Sequence, residues 1–372
     1  MNLKPFYAME ILERAIELEK QGKNIIHLEI GEPDFDTPQV IKDRAKLELD
    51  YGTTYYTHSL GFVELREAIA DYYYKKYGVK ISPDRIVITN GTSPGLLLSL
   101  SAILNSKDKI ILTNPCYPCY SNIVKFIGGE IEYVNVYEDD NFQIDISKVK
   151  KIEDKVKAIL INSPSNPTGT VLSKDNLEEL AKLNLMIVSD EIYHGLIFEG
   201  EEHTILEFTD NAIVLNGFSK LYAMTGWRLG YIIVPENLVR KIQIMQQNFF
   251  ISANSFVQKA GISALKEAQE DVERMRQIYD KRRKFMLLKL KEMGFNIKSS
   301  PAGAFYIFLN IKKFSNNSLE FAIKILEQAN VGVTPGIDFG SNGEGYIRLC
   351  YANSLENIEE ALNRLNEFFS KI

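Results

Sequence analysis

The sequence AIVLNGFSKLYAMTGWR, residues 212–228, sets both the expected fold class and the place where chemistry is to be sought. Its apolar start, Ala212 to Leu215, is typical of a short buried strand. Lys220 follows in a turn that contains glycine and serine. A lysine held there, out of bulk water, has a lowered pKa and can form a Schiff base. Arg228 can bind a phosphate with two parallel hydrogen bonds, so the two side chains together indicate pyridoxal 5'-phosphate (PLP).

Further apolar runs are predicted strands of the same sheet. They are residues 85–89, 109–112, 131–134, 156–161 and 185–188. Nearly continuous apolar sequence is typical of strands buried on both faces, and helical stretches such as 96–104 and 176–183 separate most of them. Strands alternating with helices predict an α/β domain with a mostly parallel sheet between helices. In such a sheet, ligands bind beyond the carboxyl ends of the strands.

From about residue 235 the sequence changes to long helical stretches, and 271–291 is a highly charged predicted helix. After it come predicted strands at 304–309 and 346–350 and predicted helices near 318–329 and 354–370. We therefore expect three parts in the chain. They are an N-terminal arm with part of the small domain (1–40), a large PLP-binding domain (41–280) and a small α+β C-terminal domain (281–372).

The composition limits the class of protein. The chain has 372 residues, of which 45% are hydrophobic and 25% charged, the balance of a globular protein with one large and one smaller domain. A net charge of −6 does not favour a nucleic-acid or membrane partner, and no apolar run is long enough to span a bilayer. No histidine or cysteine cluster predicts a metal site. We expect a cytoplasmic protein in which Cys116 and Cys119, although spaced as CxxC, belong to an ordinary loop that opens a helix.

Asp190 and Tyr193 follow the predicted strand 185–188. A buried carboxylate needs a partner, and the pyridinium nitrogen of PLP would be one. Asp190 would keep that nitrogen protonated, which makes the ring an electron sink, while Tyr193 would donate to the ring's phenolic oxygen. The alternative is a surface turn in which Asp190 caps a helix. The residues alone leave both interpretations open.

Two turns supply further candidates. Asn166 lies in a turn, residues 162–169, that two prolines and a glycine fix; it is either an ordinary rigid turn or one that directs the amide over the sheet edge. Gly91, Thr92 and Ser93 join a strand to a helix. Free backbone N–H groups and the helix dipole make an anion site there, although many α/β proteins have such a turn without a ligand.

Arg348 lies in an otherwise apolar predicted strand. An unpaired guanidinium in that position would be strongly destabilising. Arg348 therefore either pairs with a structural carboxylate or faces a pocket that receives a substrate carboxylate, which its planar fork suits.

In order and spacing, these motifs resemble the class I/II aminotransferases, the PLP fold-type I enzymes of the aspartate aminotransferase group. The resemblance runs over nearly the whole chain. The matching segments are residues 28–38 (LEIGEPDFDTP), 56–61 with 65–66, 166–169, 190–193, 219–228, 334–336 and 339–348.

The resemblance implies a role for each candidate residue. Lys220 would form the Schiff base with PLP and then act as general base and acid, moving a proton between the substrate α-carbon and the cofactor. Asp190 would pair with the pyridinium nitrogen, and Asn166 and Tyr193 would bind the phenolic oxygen. The other implied contacts are the phosphate with Gly91, Thr92, Ser93, Ser219, Arg228 and the partner subunit's Tyr56, the ring with Tyr117, and the substrate α-carboxylate with Arg348, Asn166 and the Gly31 backbone. A homodimer with shared active sites is implied as well.

The implied activity is ping-pong transfer of an amino group between an amino acid and a 2-oxo acid. One pair would be glutamate and 2-oxoglutarate, and the other would be aspartate or an aromatic amino acid such as tyrosine, phenylalanine or kynurenine. Two residues depart from the family: Gly217 stands where many members carry serine, and Ser93 is neutral where some aspartate-using members carry a basic residue. The alternatives are a PLP-dependent β-lyase or related synthase on the same fold and a PLP-sensing regulator, which would need a DNA-binding module.

Overall fold

The structure is a computed structural model that describes residues 3–372. The helices are α1 (Tyr7–Lys20), α2 (Gln39–Asp50), α3 (Val63–Tyr77), α4 (Thr92–Ile103), α5 (Pro118–Phe126), α6 (Ile146–Lys150), α7 (Lys174–Ala181), α8 (Glu236–Phe249), α9 (Ser255–Glu267), α10 (Gln269–Glu292), α11 (Ser318–Ala329) and α12 (Leu355–Ser370). The strands are β1 (Ile26–His27), β2 (Ile86–Thr89), β3 (Lys109–Asn114), β4 (Glu130–Asn135), β5 (Ala158–Asn162), β6 (Met186–Asp190), β7 (Ala212–Gly217), β8 (Gly230–Ile233), β9 (Tyr306–Asn310), β10 (Val331–Gly332), β11 (Thr334–Pro335) and β12 (Tyr346–Cys350).

A seven-stranded sheet with the order β2-β8-β7-β6-β5-β3-β4 forms the centre of the chain. Neighbouring strands from β7 to β4 are parallel, and only β8 runs antiparallel to both of its neighbours. The predicted α/β fold with a mostly parallel sheet is confirmed. The sequence prediction did not include β8, although its residues Gly230–Ile233 are all buried.

The strands of this sheet are buried on both faces, which is why their sequences are continuously apolar. In β7, Ala212 and Val214 belong to one hydrophobic core, whereas Ile213 and Leu215 belong to the other. The alternation follows from the two-residue period of a strand. Each fully buried valine, leucine or isoleucine contributes about 1.5–3 kcal/mol of transfer free energy. The sheet is thus a rigid support for the turns at its edge.

The C-terminal part of the chain contains a second, antiparallel sheet with the order β11-β12-β9. The N-terminal strand β1 pairs in parallel with β10, so residues near both ends of the chain lie together. Helix α10 buries one stripe of side chains from Met275 to Leu290 and leaves its charged residues outside. Between residues 3 and 372, there is no helix whose length and apolar character would let it cross a membrane.

Candidate active site

A cavity of about 320 Å³ lies at the carboxyl ends of the parallel strands, where β5 ends at Asn162 and β6 ends at Asp190. Parallel strands end at the same edge of a sheet, and the turns that follow them therefore meet there. The cavity brings together most of the predicted site residues: Gly31, Thr92, Ser93, Tyr117, Asn166, Asp190, Tyr193, Ser219, Lys220, Arg228 and Arg348.

Lys220 follows β7 and extends into this cavity. Its Nζ donates a hydrogen bond of 2.7 Å to the carbonyl oxygen of Gly31. Burial lowers the pKa of the Lys220 amine to about 8, because the charged form loses its hydration. A substantial fraction of the amine is therefore neutral at moderately alkaline pH, as attack on a carbonyl carbon requires.

Asp190 ends β6 and is only 7% exposed. Its carboxylate accepts a hydrogen bond of 2.6 Å from the Tyr120 hydroxyl and one of 3.2 Å from the backbone N–H of Ile192. Burial raises the pKa of Asp190 to about 6. A surface turn is excluded by this burial. The carboxylate forms no ion pair within residues 3–372, so it is available to a cationic group in the cavity.

Asn166 and Tyr193 lie on the wall between the two sheets. The Asn166 side-chain oxygen accepts a hydrogen bond of 2.9 Å from Nη1 of Arg348. The hydroxyl groups of Tyr193 and Tyr306 are 2.8 Å apart and share a hydrogen bond. Burial raises the pKa of both phenols above their ordinary value, which keeps them protonated. Each tyrosine is therefore able to act as a hydrogen-bond donor.

The turn between β2 and α4 forms the anion site that the sequence predicted. Gly91 has a φ of 94°, a conformation that favours glycine, and a Cβ atom there would collide with the guanidinium of Arg228. Helix α4 begins at Thr92, so its first backbone N–H groups and the helix dipole point to this space. Arg228 donates to the Thr225 carbonyl oxygen at 2.8 Å and has no carboxylate partner in the described chain. The turn and Arg228 together can hold a dianion.

Arg348 in β12 is 2% exposed and has no acidic partner among the residues that the structure describes. It donates to Asn166, to the Glu29 carbonyl oxygen and, at 3.0 Å, to Thr334. Its Nε has no partner. Of the two interpretations of Arg348, the geometry agrees with the one in which it faces a pocket. Pairing with a structural carboxylate is wrong.

Tyr117 precedes α5 and lines the cavity. Its ring contacts those of Phe6 and Tyr120 edge to face, at centroid distances of 6.1 and 5.4 Å. Tyr56 lies elsewhere: its exposed fraction is 82%, and it does not line the cavity. Within a single chain, Tyr56 is thus not part of the site.

Comparison with known proteins gives the same answer over the full chain. The family model described as "Aminotransferase class I and II" matches residues 23–365. The chain belongs to the class I and II aminotransferases. It is 45% identical, over 100% of its length and 98% of the relative's, to the (5-formylfuran-3-yl)methyl phosphate transaminase of Methanocaldococcus jannaschii. It is 40% identical to an aspartate aminotransferase of Pyrococcus abyssi, over 93% and 92% of the two chains.

Its fold is also similar to that of the solved aromatic aminotransferase of Pyrococcus horikoshii. The TM-score is 0.90, the sequence identity is 39%, and the match covers 96% of this chain and 99% of that one. This chain is accordingly a PLP-dependent aminotransferase of fold-type I. The lyase or synthase alternative is not favoured, since these relatives are named as aminotransferases.

The residues of this aminotransferase fit PLP on chemical grounds. Asp190 lacks a cationic partner, Arg228 lacks an anionic one, and Lys220 carries an amine with a lowered pKa. PLP offers a pyridinium nitrogen, a phosphate and an aldehyde, one group for each. The three side chains line one cavity, so a single PLP molecule would satisfy them together.

The departure at Gly217 has a steric reason. A Cβ atom on Gly217 would lie 3.0 Å from the Gly230 Cα and 3.1 Å from the Leu229 carbonyl oxygen. Strands β7 and β8 approach each other here through two paired glycines, Gly217 and Gly230. A serine would require the backbone to move, and the phosphate hydrogen bond that many relatives obtain from it is absent in this aminotransferase.

Several residues at the site were not predicted from the sequence. Tyr120 and Tyr306 bond to Asp190 and Tyr193, and Phe6 and Met9 of the N-terminal arm form part of the cavity wall. The hydroxyl of Tyr306 in an otherwise apolar strand was the one available signal. The arm residues gave none, because their approach to the cavity depends on contacts across more than a hundred residues.

Proposed function

We propose that this aminotransferase binds PLP through Lys220, Asp190 and Arg228 and binds the substrate α-carboxylate through Arg348. The observation that supports the proposal most is the placing of three side chains without a counter-charge around the amine of Lys220 in one cavity. When bound, PLP supplies an electron-withdrawing ring that accepts the electron pair released at the substrate α-carbon.

In this proposal the protein holds and moves protons. The Lys220 Nζ, with its lowered pKa, takes the proton from the substrate α-carbon and returns it to the neighbouring carbon of the cofactor. The Gly31 carbonyl oxygen holds Nζ in place. Asp190 stays ionised beside the cationic ring nitrogen, because that charge offsets the burial that otherwise raises its pKa. Tyr193 donates to the phenolic oxygen together with Asn166.

The phosphate is assigned to Gly91, Thr92, Ser93, Ser219 and Arg228. The backbone N–H groups at the start of α4 and the guanidinium of Arg228 supply charge-assisted hydrogen bonds. Tyr117 is assigned to the face of the ring, since it lines the same cavity. Alanine at Lys220 should abolish turnover while the fold survives; normal transamination by the folded variant would refute the assignment.

The charges in the cavity favour a neutral substrate side chain. The cationic residues that line it are Lys220, Arg228 and Arg348, and the first two are assigned to the cofactor. One cation is left for the α-carboxylate, and Ser93 offers a hydroxyl group only. We therefore propose an aromatic amino acid, such as tyrosine, phenylalanine or kynurenine, ahead of aspartate, with glutamate and 2-oxoglutarate as the other pair.

The test is the ratio of kcat/KM for phenylalanine and aspartate with 2-oxoglutarate as the acceptor. A ratio above about ten supports the neutral side chain, since one missing ionic contact is enough to produce it. A ratio below one would refute it. A Ser93→Lys variant is the matched probe: the added cation should raise the kcat/KM for aspartate and leave that for phenylalanine nearly unchanged.

A second candidate substrate is an aldehyde that carries a phosphate and no α-carboxylate. The observation in its favour is the 45% identity to the (5-formylfuran-3-yl)methyl phosphate transaminase over the full chain. Arg348 would then receive the phosphate in place of a carboxylate. Measuring kcat/KM for (5-formylfuran-3-yl)methyl phosphate beside 2-oxo acids decides between them.

We further propose a cytoplasmic homodimer in which Tyr56 of each chain reaches the phosphate in the other. Tyr56 is 82% exposed, and Tyr51 and Phe249 are also large exposed rings, as an interface requires. Cys116, Cys119 and Cys350 are free thiols, which fits a reducing compartment. Equilibrium sedimentation tests the dimer, and a Tyr56→Phe variant that binds PLP as tightly as the natural protein would refute the contact.

For the domains, we propose the division into an arm with part of the small domain (1–40), a large PLP-binding domain (41–280) and a small domain (281–372). Support comes from the location of the seven-stranded sheet within the middle part and of the three-stranded sheet within the last. The pairing of β1 with β10 joins the first part to the last.

A further inference from the structure

Asp338 is a buried carboxylate that the assigned site does not use. It is 8% exposed, and it forms no ion pair in the part of the chain that the structure describes. Its two oxygens accept hydrogen bonds from the backbone N–H groups of Tyr7, at 3.0 Å, and Ala8, at 3.2 Å. These are the first residues of α1, more than 300 positions away in the sequence. A buried charge without a cation is costly, so its only compensation in the structure is this helix start.

The segment that Asp338 holds forms part of the substrate cavity. Phe6, Ala8 and Met9 line it, and the Phe6 ring contacts the ring of Tyr117 edge to face at 6.1 Å. Further back, the Lys4 backbone exchanges two hydrogen bonds with the Asn122 side chain of α5. We call residues 4–9 the arm; its carboxyl-terminal attachment is Asp338, and its amino-terminal attachment is Asn122.

Asp338 is itself fixed to the turn that carries Tyr117. The backbone N–H of Cys116 donates to the Phe339 carbonyl oxygen at 2.9 Å, and the N–H of Ile337 donates to the Ser318 hydroxyl at 3.0 Å. Both neighbours of Asp338 are therefore held by backbone hydrogen bonds. The position of the arm relative to Tyr117 follows from this arrangement.

We propose that Asp338 is a positioning residue that fixes the arm as a wall of the substrate cavity and so sets the affinity for the amino acid. The clause on affinity rests on the proposed function, whereas the clause on the arm stands on the geometry alone. Phe6 has no cap of its own: α1 begins without a hydrogen bond from an N-cap side chain. Asp338 replaces the serine or aspartate that usually occupies that place.

The experiment compares Asp338→Ala and Asp338→Asn with the natural protein, all loaded with PLP. Chymotrypsin cleaves after Phe6 or Tyr7 only when the arm leaves its site, and mass spectrometry measures the release of the N-terminal peptide. Steady-state kinetics give kcat and KM for phenylalanine. Asp145→Ala is the matched control, because Asp145 caps helix α6 through the Ser147 N–H on the exposed surface.

Asp338→Ala should raise the cleavage rate by about tenfold or more, since two charge-assisted hydrogen bonds are lost. KM for phenylalanine should rise about tenfold, while kcat changes less than about twofold, because Lys220 and Asp190 are untouched. Asp338→Asn should lie between, since its amide oxygen still accepts one N–H, and it serves as the test if the alanine variant does not fold. Asp145→Ala should match the natural protein in both measurements.

Unchanged cleavage in the variants would overturn the proposal. Faster cleavage with an unchanged KM would overturn its second half, the effect on substrate affinity. If the natural protein itself does not transaminate phenylalanine, the proposed substrate fails, and the cleavage rates still decide whether Asp338 holds the arm.

Discussion

Replacing Arg348 with lysine should lower kcat/KM for amino acids about 10²- to 10⁴-fold. Arg348 uses three of its N–H groups on Asn166, Glu29 and Thr334, and its Nε and the second N–H of Nη1 remain for a substrate carboxylate. A hydrogen bond to a charged group is worth about 1.5–3 kcal/mol, so two of them amount to about 3–6 kcal/mol. At 1.4 kcal/mol for each factor of ten, this is the stated range.

Lysine retains the positive charge but not the planar group that donates in two directions. The assay is steady-state transamination of phenylalanine, with the PLP absorbance recorded to confirm that the cofactor stays bound. Arg240→Lys is the matched control, since Arg240 is an exposed residue that contacts only Gln243. A kcat/KM within about threefold of the natural value, in a variant that binds PLP, would show that Arg348 does not bind the carboxylate.

Two further perturbations test the cofactor site and the support beneath it. Gly91→Ala should weaken PLP binding by at least about tenfold, because the new methyl meets the Arg228 guanidinium; Gly22→Ala, also at positive φ but with no neighbour within 4 Å, should leave the Kd for PLP unchanged in the same titration. His27→Gln should lower the free energy of unfolding by about 1–3 kcal/mol at pH 6, since a hydrogen bond to buried Glu29 raises the His27 pKa to about 9. The raised pKa means that this contribution is fully present below pH 6.5 and lost as the pH rises through 9, so denaturant titrations at pH 6 and pH 10 should differ; an equal effect at both would contradict the ion pair.

The central sheet could be predicted because burial on both faces leaves a direct mark on the sequence. Every residue of β7 and β2 is buried, and an apolar run is the only sequence that tolerates it. β8 was missed although it is equally apolar, because it begins within the Gly230 end of the motif that carries Arg228 and reverses the strand direction. Its pairing with both β2 and β7 is a long-range property.

The site could be predicted where a strand end places a polar residue, as for Lys220 and Asp190. Partners that approach from distant parts of the chain could not. Tyr120 reaches Asp190 from α5, 70 positions away, and Asp338 reaches Tyr7 across 331 positions. Such pairings depend on how helices and sheets pack, and local periodicity carries no information about them.

The choice between the two interpretations of Arg348 shows the same limit. The sequence indicated that a guanidinium in an apolar strand needs a partner, but it could not show whether one is present. The structure supplies the missing fact: Arg348 is bonded to neutral oxygens only, and its Nε is free. Compensation of a buried charge is a property of the packed chain.

The most direct test of the proposed transamination is the half-reaction. The PLP-loaded protein is mixed with phenylalanine in the absence of any acceptor, and the cofactor absorbance and the 2-oxo acid released are measured, with a Lys220→Ala variant in parallel. Aminotransfer predicts conversion of the cofactor to its aminated form with one equivalent of 2-oxo acid for each site, and no conversion in the variant within the same time. Failure of every amino acid tried to aminate the cofactor, or release of ammonia and pyruvate from a β-substituted amino acid, would contradict it.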